Sequence, residues 1–179
     1  MPSLDDTLMA TLINPDALPA TRERAFRELV RRHSGILAGT VRCLLWDPTS
    51  VDDVVQETFL RVYQTRDRYR PGGAPFRAWL LRIGRNLALD LQRKRIRRKT
   101  GSLGDAPEPT DPRPSPLAAL VGQHRNEALR AAVDLLKGDE REALLLRYDV
   151  DLSYELIADL LGGSPPGIKQ RVFRARKRL

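Results

Sequence analysis

Pro165-Pro-Gly-Ile-Lys-Gln-Arg-Val-Phe-Arg-Ala-Arg-Lys-Arg-Leu179 reads as one helix. At about 100° per residue, Ile168, Val172, Ala175 and Leu179 fall on one side and form an apolar seam for a preceding helix. Lys169, Gln170, Phe173, Arg174 and Lys177 then point away from the seam. A solvated face is polar, so the cations alone are unremarkable, but a large apolar Phe173 among them is not. Cations for phosphates, with an amide and an aromatic for base edges, suit a helix laid against DNA. The plainer reading is a basic amphipathic helix that binds nothing specific.

What precedes this helix weakens the plainer reading. Ser153 is placed to cap a short helix carrying Leu156, Ile157, Leu160 and Leu161. Leu161-Gly-Gly-Ser164 is a tight turn, so helix, glycine turn and basic helix follow in helix-turn-helix order. Many bundles join helices this way, so the pattern alone is a moderate signal. Upstream, Asp139 can cap a helix with Ala143, Leu144, Leu145 and Tyr148 for packing. A further helix is expected from Leu117, with Leu120, Leu129, Val133 and Leu136, ending at Lys137-Gly138.

Residues 100–116 hold five prolines and two glycines, with Asp105, Glu108 and Asp111. Such a stretch is an extended, flexible acidic linker and not a packed element. It divides the chain into two helical units. Before it runs Arg93-Lys-Arg-Ile-Arg-Arg-Lys99, six cations in seven positions, which repel one another unless a polyanion or solvent relieves them.

The first unit is expected over 21–99. From Thr21, Phe26, Leu29, Val30, His33, Leu37, Val41, Leu44 and Leu45 recur at helical spacing. Gly35 and Gly39 leave open one bent helix or two. Asp47-Pro48 ends that pattern. A second helix is expected from about Ser50 to Thr65, its buried stripe Val51, Val54, Val55, Thr58, Phe59, Val62 and Tyr63. Asp52, Asp53, Gln56 and Glu57 are displaced from the stripe, as an acidic patch in a basic protein. That patch is either a solvated face with acids suited to the helix macrodipole or a docking surface for a basic partner. The loop Asp67–Pro75 holds Arg68, Tyr69 and Arg70. A third helix follows with Phe76, Trp79, Leu80, Ile83, Leu87 and Leu91 as its apolar stripe. Residues 1–20 contain three prolines and no sustained period, and read as a loose N-terminal leader.

The balance is 31 basic to 23 acidic residues, a net charge of +8, concentrated in runs. Residues 1–100 carry 19 basic and 11 acidic groups, 101–122 carry 1 and 3, and 123–179 carry 11 and 9. Basic runs raise the prior for a polyanionic partner. A single cysteine, Cys43, excludes an internal disulfide and a cysteine-rich zinc site, and reads as a small packing residue. His33 and His124 are too far apart in sequence to suggest a metal site; His33 shares a helical face with apolar residues and is expected partly buried. No apolar run approaches the ~20 residues of a membrane span. Asp5 and Asp6 stand where an export signal needs positive charge, so a cytoplasmic protein without membrane insertion is expected. No nucleophile–base pair, phosphate loop or metal constellation points to an enzyme, and no cofactor is expected.

Three stretches together resemble the extracytoplasmic-function group of bacterial RNA polymerase sigma factors, within the sigma-70 family. Asp52-Asp-Val-Val-Gln-Glu-Thr-Phe-Leu-Arg-Val-Tyr63 is similar to the family's second sigma-2 helix. Phe76-Arg-Ala-Trp-Leu-Leu-Arg-Ile-Gly-Arg-Asn-Leu-Ala-Leu-Asp90 is similar to its −10-reading helix. Leu152–Gly162 with Ile168–Leu179 is similar to its sigma-4 helix-turn-helix. They stand in the family order, with the linker between the second and third.

The resemblance implies an all-α protein: a sigma-2 helical bundle over 21–99, a linker over 100–116, and a sigma-4 domain over 117–179. It implies a core RNA polymerase partner. Asp52, Asp53, Gln56 and Glu57 would face the β′ clamp helices, and the β flap would be a second contact. Tyr69, Arg70 and Phe76 would accept an unstacked −10 base, with Asn86 as a hydrogen-bonding reader and Arg82, Arg85 and the 93–99 run on phosphates. Lys169, Gln170, Phe173, Arg174 and Lys177 would face the −35 element. Trp79 lies in the apolar stripe and is read as core. An anti-sigma factor that covers the polymerase-binding faces is also implied, and no further C-terminal domain is expected.

The sequence departs from the family pattern in three places. Pro165-Pro166-Gly167 replaces the usual small residues, and a residue before proline avoids the α region, so the helix is expected to start at Pro166 and not behind a Ser164 cap. Leu156 stands where the family has Glu, so Ser153 lacks a capping box. The 71–75 loop is one residue longer than usual, which bears on −10 base preference. Two other readings stay open: a sigma mimic that sequesters an anti-sigma factor, and a DNA-binding regulator that never engages polymerase.

Overall fold

The computed structural model of the chain describes residues 3–45, 47–101, 135–136 and 138–179, the side chains of 98–101 excepted. Every described element is helical. The chain divides into two compact units, residues 1–94 and 95–179.

The first unit opens with a helix where a loose leader was expected. α1 spans Leu4–Ile13. Ser3 Oγ accepts from the Asp6 amide at 3.1 Å while the Ser3 amide donates to Asp6 Oδ2 at 3.1 Å, a closed capping box. Met9 and Leu12 are fully buried against α2. Two such side chains contribute about 1.5–3 kcal/mol each. The prolines at 2, 15 and 19 flank this helix and do not interrupt it, so counting them as breakers of the whole segment misread it.

α2 spans Pro19–Arg42, starting two residues before Thr21, with Pro19 in the first turn, where no N–H is needed. It runs unbroken through Gly35 and Gly39, and Leu29, His33, Leu37 and Val41 are buried along it at a spacing of four. Asp47-Pro48 does more than end the pattern. The Asp47 carboxylate accepts from the Ser50 amide at 3.2 Å and caps α3, Pro48–Gln64. Val51, Val54, Thr58, Phe59 and Val62 face inward as expected, but Val55 is half-buried and Tyr63 is exposed. A 3-10 turn, Arg66–Arg68, leads to the loop before α4, Phe76–Gly101.

On α4 the buried line is Phe76, Leu80, Leu81, Gly84 and Ala88, while Trp79, Ile83, Leu87 and Leu91 are half-buried. The expected stripe is therefore rotated toward the small residues. Gly84 is the cause: a Cβ there would lie 2.4 Å from Leu37 Cδ1 and 3.3 Å from Thr58 Oγ1. α4 comes this close to α2 and α3 because no side chain intervenes.

The second unit contains α5 (Gly138–Tyr148), α6 (Tyr154–Leu161) and α7 (Pro165–Arg178). Its core joins Leu146, Leu152, Ile157, Ile168 and Ala175, all fully buried. Asp139 lies inside the first turn of α5 and does not precede it. Tyr148, expected to pack, is 59% exposed. Ser153 caps α6 by accepting from the Leu156 amide at 3.3 Å. Gly162 (φ 77°) and Gly163 (φ 119°) form the turn in a backbone region that side chains disfavour. The expected helix from Leu117, with Leu120, Leu129 and Val133, and the linker beyond Gly101 lie outside the described residues.

The start of α7 differs from expectation. Ser164 is extended (φ −110°, ψ 151°) and its Oγ accepts from the Gly167 amide at 3.3 Å, so it is the cap, and Pro165 opens the helix. The first turn explains this. Neither proline is asked for an N–H there, and no preceding helical carbonyl lies in the way of either ring. Pre-proline crowding acts on Ser164, which is extended, as a cap must be.

Candidate nucleic-acid and polymerase interfaces

On α3, Asp52, Asp53, Gln56 and Glu57 occupy one arc of about 140°, opposite the buried residues. Asp52, Asp53 and Gln56 are exposed; Glu57 is half-buried and accepts from Arg61 Nε at 2.9 Å. Leu60 and Tyr63, 50% and 42% exposed, fall in the same arc. Their rims meet a groove between α2 and α3 floored by Phe26, Val30 and Phe59. Phe26 meets Tyr63 edge-on at 5.3 Å. The surface is thus acidic and apolar at once. Sequence reasoning found its acids but placed Tyr63 in the core and passed over Leu60, because helical spacing alone cannot say how wide the buried stripe is.

Around the loop before α4, two expected contact residues are not surface residues. Tyr69 is 4% exposed and Phe76 is 1% exposed. Their rings meet at 5.9 Å, Tyr69 meets Trp79 at 5.4 Å, and Phe76 meets His33 at 5.1 Å. Neither ring offers an open face for a base, so any contact with a base here falls to the loop between them and not to the two rings. Hydrophobic burial takes both aromatics, and the loop between them, Arg70–Pro75, is left exposed. The Tyr69 hydroxyl donates to Asp6 Oδ1 at 2.6 Å. Burial, and then the Asp6 carboxylate, push the Tyr69 phenol well above its ordinary pKa. The same hydrogen bond, with those from Ser3, holds Asp6 down at about 2.

Arg70 is exposed, and its guanidinium donates to the Asp67 carbonyl at 2.8 Å. On α4, Arg82 and Asn86 are exposed and Arg85 is half-buried. Arg82, Asn86, Arg93 and Arg97 recur at steps of one or two helical turns and make a single polar stripe. Arg93 also pairs with Asp90 at 3.3 Å.

α7 sorts as the sequence predicts except at Leu179, which was expected to complete the seam but follows the end of the helix and is 44% exposed. Ile168, Val172 and Ala175 are buried, while Lys169, Gln170, Phe173, Arg174 and Lys177 are exposed, Phe173 to 59%. An aromatic this exposed on a cationic arc has packing partners to gain only from outside the unit. One edge of the arc is held from within. Glu140 on α5, 6% exposed, accepts from Arg178 at 2.5 Å and lies 3.8 Å from Arg174. That contact was invisible in the sequence, because 34 and 38 residues separate the partners.

Among the described residues no group of His, Cys, Asp or Glu could hold a metal ion, and no helix is long and apolar enough to cross a membrane. Residues 29–98 match the family described as Sigma-70 region 2, and residues 126–179 match Sigma-70, region 4. The RNA polymerase sigma factor CnrH of Cupriavidus metallidurans is 37% identical over 166 residues, covering 88% of this chain and 85% of its own length. The ECF RNA polymerase sigma factor EcfG of Rhodopseudomonas palustris is 40% identical over 128 residues, covering 72% and 68%. The structure of CnrH in complex with the cytosolic domain of CnrY superposes with a TM-score of 0.69 at 31% identity, covering 98% of this chain and 94% of that one. The sigma factor RpoE of Bartonella quintana, solved with the anti-sigma factor NepR, gives 0.68 at 29% identity, covering 86% and 92%. With both regions matched in order, and with relatives alike over most of their length, the chain belongs to the sigma-70 family as a bacterial RNA polymerase sigma factor of the extracytoplasmic-function group.

Proposed function

We propose that three surfaces divide the work of this sigma factor, which binds core RNA polymerase and directs it to promoters. The acidic and apolar arc of α3, with Asp52, Asp53, Gln56 and Glu57, docks on the β′ clamp helices. The 70–75 loop, Asn86, Arg82 and Arg85 engage the −10 element, with Tyr69 and Phe76 shaping the loop from beneath. Lys169, Gln170, Phe173, Arg174 and Lys177 face the −35 element in the major groove. A second polymerase contact falls on the β flap. The domains run as 21–99 and 117–179, with α1 as part of the first body. The chain works in the cytoplasm, and its own residues supply no covalent chemistry.

The observation that carries this reading is the exposed Phe173 beside Gln170 on a capped, cationic helix. Cations alone would bind any polyanion; an aromatic and an amide aimed the same way suit base edges. An anti-sigma factor holds the free protein, a proposal supported by the likeness to RpoE solved with NepR. The apolar groove beside Leu60 and Tyr63 gives such a partner a place to bury side chains.

The test is transcription by holoenzyme from promoters with intact and scrambled −35 elements. Gln170→Ala and Phe173→Ala should each lose activity on the intact promoter, by about 1–3 kcal/mol per good base contact. On the scrambled promoter the loss should be small. An equal loss on both promoters contradicts the assignment.

A further inference from the structure

The −10 loop is short and glycine-rich, so something outside it must set its shape. Gly72 has φ +80°, and Gly73 sits under the Arg70 carbonyl, to which it donates at 3.1 Å. Glycines widen the conformational choice of a loop and do not narrow it. One end is fixed by Phe76, which is buried at the start of α4. The other end is fixed by Tyr69, whose ring packs on Phe76 and Trp79.

The remaining tether comes from α1, the segment the sequence did not reveal as a helix. Asp6 Oδ1 accepts from the Tyr69 hydroxyl at 2.6 Å. One carboxylate thus ties the root of the loop to α1. Asp6 is itself held: Ser3 Oγ donates to Oδ2 at 2.8 Å, and α1 is anchored on α2 by Met9 and Leu12. Asp5 beside it accepts from Arg32 at 3.1 Å and contacts His33 at 2.9 Å, which fixes the rotation of α1. The plainer account is that Asp6 only closes the capping box of α1. It leaves unexplained why the same carboxylate reaches a residue 63 positions away.

We infer that Asp6 is a positioning residue for −10 recognition: by holding Tyr69 at the root of the 70–75 loop it constrains the backbone shape of that loop and so helps set which base the loop accepts. This rests on the reading that the loop engages the −10 element. Asp6 touches no DNA in this account; it acts through the loop.

The experiment is in vitro transcription by holoenzyme from a promoter library randomised across the −10 element. It compares wild type with Asp6→Ala, Tyr69→Phe, their double variant, Ser3→Ala and a deletion of Gly73. Tyr69→Phe keeps the buried ring and removes only the hydroxyl, so it reports even where Asp6→Ala folds poorly. Asp6→Ala and Tyr69→Phe should each shift the relative preference among −10 bases by roughly fivefold, the ratio expected for one net hydrogen bond. The double variant should shift it no further. Ser3→Ala, which opens the capping box and removes one hold on Asp6 but leaves its bond to Tyr69, should shift the preference less than either single variant. If Gly73 deletion changes the preference while Asp6→Ala and Tyr69→Phe rescale every promoter by one common factor, the role of Asp6 is wrong and the loop assignment stands. If none of these variants changes the preference, the loop is not the −10 reader and the role of Asp6 falls with it.

Discussion

Glu140 of α5 is buried, yet its carboxylate serves two arginines of α7, Arg178 at 2.5 Å and Arg174 at 3.8 Å. α7 is therefore oriented by a charge as well as by its apolar seam. Glu140→Gln should lower the stability of the second unit by about 1–3 kcal/mol, since charge-assisted bonds are lost while the arginines stay half in solvent. It should also release up to two cations toward DNA. Binding to duplexes with a scrambled −35 element should then become more salt-dependent, the log–log slope steepening by at most about 2. Calorimetry and salt-titrated binding check the two halves.

Charge reversal on α3 should separate polymerase docking from promoter reading. Asp53→Lys and Glu57→Lys should each weaken core binding by about tenfold or more in a pull-down or titration. Glu57→Lys should be the worse folded of the two, because it also sets a like charge against Arg61. DNA binding by α7 should be unchanged in both. Unaltered core affinity would remove this arc from the interface.

Gly84→Ala sets two effects against each other. Alanine favours an exposed helix interior over glycine by about 1 kcal/mol. Here the new Cβ meets Leu37 Cδ1 at 2.4 Å, and both Leu37 and Thr58 are fully buried. Overpacking of that kind costs about 1–3 kcal/mol, so the net effect should be destabilising. Chemical denaturation should show a lower midpoint; a higher one would mean that Leu37 can move aside.

Acidification should weaken the first unit through His33. Burial pulls its pKa below the ordinary 6.5, Asp5 opposes this, and Arg32 and Arg77 add to the lowering. With the folded value below the unfolded one, the unfolded chain takes the proton first. Stability from this group is present above about pH 6.5 and is lost as pH falls through that value toward the folded pKa. The melting temperature should drop by a few degrees between about pH 7.5 and 5.5, and less in His33→Gln. A rise on acidification would mean that the Asp5 ion pair outweighs burial.

Much of this was legible in the chain because local rules govern it. The seam of α7, the Ser153 cap and the acids of α3 each follow from spacing within one helix. What was not legible depended on distant residues. α1 was missed because its evidence is a capping box and two apolar residues whose partner is α2. The depth at which Tyr69 is buried was not legible, because its partners Asp6, Phe76 and Trp79 come from other parts of the chain. The buried line of α4 follows Gly84 and Ala88, where hydrophobicity is least informative and close approach decides. Ser164 was passed over as a cap because pre-proline crowding from Pro166 was expected to keep Pro165 out of the helix, whereas Pro165 is its first residue.

The most direct measurement is transcription in vitro across a library of promoter fragments, with purified core RNA polymerase in the presence and absence of this protein. The account predicts start sites that appear only with the protein and share two motifs at fixed spacing. The upstream motif should lose its influence in Gln170→Ala and Phe173→Ala. Protein-dependent starts with no shared motif, or none at all despite tight core binding, would contradict promoter-specific initiation by these surfaces.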